Sequence, residues 1–157
     1  GRRKRLSTYL VMGVIAALIT GLAIGAQSTL SSRVGSIIGS FRTGVLTNFV
    51  GGLIAGLVLV VLLIINGKEY VRIPAIAALL LVLAGALGIM IITGVAFSLQ
   101  RAGVAAGLAT IILGQMVISL VADARGWAGA EPIPVTLPRI LGLAIMAAGV
   151  YLLLPKR

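Results

Sequence analysis

Residues 103–123 read GVAAGLATIILGQMVISLVAD, and the fold is decided by how this stretch is classified. At 1.5 Å per residue a helix of this length reaches about 30 Å, the thickness of a bilayer's hydrocarbon core. A membrane β-strand would need only about 9–11 residues and would alternate in polarity, which this run does not. Read as a helix, it has three faces. Gly103, Gly107, Thr110 and Gly114 share one stripe, while Gln115, Ser119 and Asp123, spaced by four, form another on nearly the opposite side. Leu113, Met116, Val117 and Leu120 make a third face suited to lipid. A helix that only anchors needs no special faces, so the pattern predicts packing on one side and a polar surface on another.

The chain around it is equally apolar. Of its 157 residues 60% are hydrophobic and 10% charged, with a mean hydropathy of +1.21; a soluble domain carries about 25% charged residues. Four further spans are predicted at residues 9–26, 44–65, 73–97 and 137–154. The expectation is an all-α membrane protein, a five-helix transmembrane bundle forming one domain over residues 1–157. Residues 28–42 are rich in Ser and Gly with two Arg, and read as an interfacial loop or short helix. Asn66–Gly67 ends the second span, and Lys68, Glu69 and Arg72 mark a watery turn. Pro74 is acceptable in a first helical turn. The short link at 98–102 predicts that spans three and four are antiparallel neighbours, and Pro132, Pro134 and Pro138 break the chain before the last span.

The composition narrows the chemistry. There is no Cys and no His, and Glu69, Asp123 and Glu131 are the only acids. A carboxylate dyad, a catalytic triad and a His-based metal site are therefore nearly ruled out, so neither an enzyme, nor a metal, nor a cofactor is expected. The net charge of +10 comes from basic residues placed between apolar runs. With aromatics at 4% and no basic–aromatic interleaving, nucleic acid is not the expected partner. The run Arg2–Arg3–Lys4–Arg5 resembles a signal-peptide n-region, but the following stretch is longer than an h-region and lacks a clean cleavage site, so it reads as a true span.

Five spans put the termini on opposite sides. Eight of the Lys and Arg residues fall on the N-terminal side and five on the other, which favours a cytoplasmic N-terminus. Without the basic tail the balance is four against five, the near-parity expected of a chain that inserts both ways or pairs with an oppositely oriented partner.

Two groups of residues carry the functional expectation. Gly21/Gly25, Gly52/Gly56 and Gly103/Gly107, with Gly114, form small-residue stripes that let helices approach closely. They are expected to pack helices within one bundle, with a dimer seam as the alternative. Gln27, Asn48 and Gln115 are amides in or beside apolar spans, with Thr20, Thr93 and Ser119 next in rank. Such groups either bond helix to helix or line a wet cavity, and their recurrence on spans one, two and four tips the reading toward a shared substrate cavity. Asp123 and Arg125 end the fourth span as a capping pair at a gate or interface.

The segments GAQSTLSSRVGSIIGSF, NFVGG, LGQMVISLVADARGWAG and PRILGLAIMAAGVYLLL together cover nearly all of the chain. They resemble the YdcZ-like branch of the drug/metabolite transporter superfamily, most specifically at Gln27 with Gly35–Gly39, at Gly114–Gln115, and at Asp123 with Gly126, Trp127 and Gly129. Larger members of that superfamily hold two inverted five-helix repeats, and smaller relatives work as antiparallel dimers. The resemblance thus implies that this chain is one inverted repeat, completed by a second copy or a paired homologue in the opposite orientation within the bacterial inner membrane. It implies a secondary transporter for a small organic solute. A non-transporting scaffold or accessory subunit and a lipid-carrier flippase are the alternatives. The four-helix multidrug relatives place a Glu midway along helix one, where this chain reads Val14–Ile15–Ala16–Ala17–Leu18, so proton-for-cation exchange by that route is not carried over.

Overall fold

Runs this long and apolar close all their backbone hydrogen bonds internally, and the helix is the form that does so within one segment. The computed structural model describes residues 2–127 and 131–156, with side chains from Tyr9 onward. Among the described residues five α-helices follow one another: α1 (Arg2–Ile38), α2 (Ser40–Asn66), α3 (Ala75–Ala102), α4 (Val104–Arg125) and α5 (Leu137–Leu153). A 3-10 helix, Lys68–Val71, lies between α2 and α3, and the described residues contain no strand. The first four helices are long and apolar enough to cross a bilayer, and α5, at 17 residues, is a shorter apolar helix at the lower limit of about 17.

The segment expected as an interfacial loop or short helix is instead the continuation of long helices. α1 continues unbroken to Ile38, and one residue later α2 begins. The Ser and Thr residues that suggested a loop are accommodated by their own helix, Thr29 Oγ1 donating to Gly25 O at 2.9 Å and Ser36 Oγ to Arg33 O at 2.7 Å. Ser28 and Ser31 are small enough to be buried where α1 packs. Likewise α3 runs on through the predicted 98–102 link to Ala102.

Two single glycines make the reversals. Gly39 (φ 89°, ψ 149°) joins α1 to α2, and Gly103 (φ 84°, ψ 161°) joins α3 to α4. This backbone region is essentially closed to residues with a Cβ. Each joint is hydrogen-bonded alike on both sides: Gly39 N–H donates to Gly35 O and Thr43 N–H to Gly39 O, while Gly103 N–H donates to Leu99 O and Gly107 N–H to Gly103 O. Gly126, left-handed at φ 65°, closes α4.

The helix directions follow from the close approaches. A Cβ on Gly44 would strike Thr93 Oγ1 and lie 2.7 Å from Ile89 O, and one on Gly88 would lie 2.7 Å from Asn48 Oδ1, so α2 runs antiparallel to α3. Gly35 faces Ala96 and Gln100, which sets α1 parallel to α3 with both joints at one end. Gln100 ties that end together, Nε2 donating to Ala96 O at 2.6 Å and to Ser40 Oγ at 3.3 Å. α4 folds back on α3, Gly107 against Leu99. Among the described residues α5 packs on α4 alone.

The glycine stripes named from the sequence behave differently from expectation. Only Gly107 abuts a neighbour; a Cβ at Gly21, Gly25, Gly52, Gly56 or Gly114 would meet nothing within 4 Å, and Gly103 serves as a joint. The small residues that do bring helices together are Gly35, Gly44 and Gly88. The chain exposes 12,197 Å², whereas a compact soluble monomer of its mass would expose about 7,400 Å². Leu, Ile and Val side chains along α1, α2 and α3 account for much of the excess, as expected of a lipid-facing bundle open on one side.

Candidate functional site

Measured along the helices from the two joints, Asn48 lies about 13 Å away and Gln27 and Gln115 about 18 Å. Half of a 30 Å hydrocarbon core is about 15 Å, so with the joints at the edge of the core three amides on three helices share the midplane level. The joints set this level, Gln27 lying twelve residues before Gly39 and Gln115 twelve residues after Gly103.

At this level lie two adjoining cavities. One, of about 430 Å³, lies among α1, α2 and α3 and is lined by Gln27, Thr47, Asn48, Gly51, Gly52, Ala55 and Gly88. The other, of about 340 Å³, lies among α1, α3 and α4, where α1 and α4 barely touch, and is lined by Gly21, Gly25, Gln27, Ser28, Gln115 and surrounding aliphatics. Gln27, Ile91 and Ile92 belong to both. Several of the glycines that fail to pack helices are thus the walls of these cavities; a side chain on Gly51 or Gly52 would occupy the space that Asn48 faces.

The polar groups in the cavities are amides and hydroxyls, with no charged residue in either lining. Asn48 Nδ2 donates to Gly44 O of its own helix at 2.8 Å, which leaves Oδ1 as an acceptor. The side-chain amides of Gln27 and Gln115 make no hydrogen bond among the described residues, although both backbones lie within helices. The arrangement offers donors and acceptors to a small solute at mid-depth, surrounded by Ile and Val.

Thr20, Thr93 and Ser119 lie elsewhere. Thr20, near the far surface, is exposed and bonds Ala16 O at 2.8 Å. Thr93 is wedged in the α2–α3 seam against Gly44, its Oγ1 buried without a partner among the described residues. Ser119 belongs to a third cavity, of about 440 Å³, between α4 and α5, together with Asp123 and Arg139. The predicted polar stripe of α4 is therefore split: Gln115 turns to α1 and α3, while Ser119 and Asp123 turn to α5. Met116 and Leu120, expected to face lipid, also turn to α5.

Asp123 does not pair with Arg125. Arg139 Nη2 donates to Asp123 Oδ2 at 2.5 Å, an ion pair that joins α4 to α5, and Ile133 N–H adds a bond to Asp123 O at 2.9 Å. Arg125 instead lies 5.5 Å from the Trp127 ring centroid. Arg139 and Gln100 were both overlooked in the sequence. Arg139 was detectable, since it opens the last span on the same membrane side as Asp123; Gln100 gave no comparable signal. Gly129 lies outside the described residues.

Residues 12–152 match the family described as "Putative inner membrane exporter, YdcZ", within the drug/metabolite transporters. The chain belongs to the YdcZ family. No curated protein and no solved structure matches it. The family match and the apolar helices place the chain in the inner membrane as a multi-pass protein, and its family's activity is transport.

Proposed function

We propose that this chain is one half of a secondary transporter that carries a small organic solute across the inner membrane by alternating access, its other half being a second copy or a paired homologue in the opposite orientation. The observation that carries the reading is the common mid-depth of Gln27, Asn48 and Gln115 around two cavities that share Gln27. Inverted-repeat transporters bind at the midplane between repeats, and a bundle with one closed and one open end is what such a pair requires. With an inverted partner, the closed end of one copy lies beside the open end of the other. Exchanging the two packings then exposes the amide layer to alternate sides. The non-transporting alternative would need its amides bonded helix to helix, and Asn48 bonds only within its own helix.

Flux of a solute library into proteoliposomes tests the transport reading. Gln27→Leu is expected to lower flux about tenfold with helix content unchanged, and full flux in that variant would sink the assignment of the cavity. Orientation is tested separately in this Cys-free chain. Ser40→Cys at the joint end and Lys68→Cys at the other should each be labelled by a membrane-impermeant maleimide from both faces if one chain type inserts both ways. Labelling from one face each would require a differently oriented homologue.

A further inference from the structure

The α4–α5 cavity is not part of the amide layer, and its two walls are built on one pattern. α4 contributes Met116, Ser119, Leu120 and Asp123, and α5 contributes Arg139, Gly142, Leu143 and Met146. Each set is spaced i, i+3, i+4, i+7, so each is a single helix stripe. Because the helices are antiparallel, the charged pair Asp123–Arg139 lies at one end of the groove and the two methionines at the other, about 10 Å deeper along the helices. Asp123 is about 30 Å from the joint end, at the far edge of the hydrocarbon core. Trp127 marks the same level: it is exposed, with Arg125 over its ring, as aromatic residues are at the headgroup boundary. Arg139 Nη1 is enclosed and has no hydrogen-bond partner among the described residues, while Asp123 Oδ1 is the oxygen that Arg139 does not use.

We propose that this groove binds one zwitterionic aminophospholipid of the ethanolamine type. A phosphate oxygen accepts from Arg139 Nη1, the ammonium donates to Asp123, and an acyl chain descends along Leu120, Leu143, Met116 and Met146. The charge pattern selects the headgroup. The Asp123–Arg139 unit is neutral overall, so a purely anionic headgroup meets the Asp123 carboxylate, and a choline headgroup has no N–H to donate to it. Methionine suits the chain end because its flexible thioether adapts to an irregular, mobile occupant.

Native mass spectrometry of the full chain released from detergent, incubated in turn with phosphatidylethanolamine, phosphatidylcholine and phosphatidylglycerol, tests this. Phosphatidylethanolamine should be retained at least fivefold more than either of the others. The control variant is Gly142→Leu, which fills the groove without touching the ion pair; a Cβ there meets nothing within 4 Å. It should abolish the preference while leaving thermal stability nearly unchanged. Equal retention of the three lipids, or a preference that survives Gly142→Leu, overturns the proposal. So does ready disulfide formation between two copies carrying Gly142→Cys in the membrane, because a partner's helix would then fill the groove.

Discussion

The two ends of this bundle are made from the same apolar helices and yet differ in kind. Every described residue that is buried, from Ser28 to Gly107, lies along its helix within about 17 Å of Gly39 or Gly103. There the seams are closed by Gly35, Gly44, Ala96, Leu99 and Gly107 and locked by Gln100. Beyond the amide layer no described residue of α1, α2 or α3 is buried, and glycines that could bring these helices together face open space. Close approach thus depends on which small residues meet a partner in register, and their number on a helix is a poor guide. The joints supply that register, because a single-residue reversal leaves the two helices of a hairpin no freedom to slide.

The comparison breaks most readily at Gly44. Gly44→Leu would drive a side chain into Thr93 and the Ile89 carbonyl, and overpacking against backbone is expected to cost about 3 kcal/mol. The same change at Gly56, on the same helix but in the open half, meets nothing within 4 Å and should shift the stability of the chain by less than about 0.5 kcal/mol. Unfolding in mixed micelles with increasing SDS measures both. Equal losses would mean that the open half is packed as tightly as the closed one. If Gly56→Leu spares the fold but removes dimers, the open half is the pairing face.

The joints come next. Gly39→Ala and Gly103→Ala each place a Cβ in a backbone region reserved for glycine, with an expected cost of about 1–3 kcal/mol apiece. The identical hydrogen bonding of the two joints predicts similar losses for the two variants, so a large inequality would show that one hairpin alone holds the closed end.

Most of the architecture could be read in the sequence, because span length and polarity are set by the bilayer and need no tertiary information. The antiparallel pairing of α3 and α4 followed from a short link, and the family resemblance rested on Gln27, Gly114–Gln115 and the residues around Asp123. The errors have one physical origin. Residues 28–42 looked like a loop or short helix by composition, yet the long helix continues through them, with Thr29 and Ser36 bonding carbonyls of their own helix and Ser28 and Ser31 small enough to be buried. The GxxxG pairs looked like packing seams, yet spacing along one helix says nothing about what stands opposite. The candidate site shows the same division. Gln27, Asn48 and Gln115 could be chosen because polar residues in apolar spans are conspicuous, but placing Ser119 with Asp123 and Arg139 required knowing where α5 docks.

In function the difference between the ends is sharpened by Gln27, which borders both cavities. Gln27→Leu, apolar and one atom shorter, should depress flux about tenfold, equivalent to about 1.4 kcal/mol. Gln115→Ala borders one cavity and should have a smaller effect. A larger loss at Gln115 would move the centre of the site to the α1–α3–α4 side.

The smallest expected effect on flux lies on the border between the two regions, at Thr93. Its Oγ1 is buried in the α2–α3 seam with no partner among the described residues, a state that costs about 1–3 kcal/mol for a group removed from water. Val has nearly the same shape without the hydroxyl, and replacing an orphaned polar group with an apolar one of equal volume is neutral or mildly stabilising. Thr93→Val is therefore expected to leave flux unchanged and to raise stability by up to about 1 kcal/mol, read as a later SDS midpoint. If flux falls instead, Thr93 Oγ1 must reach the solute during transport. The α2–α3 seam would then have to open at Gly44, and the closed end of the bundle would be a gate as well as a clasp.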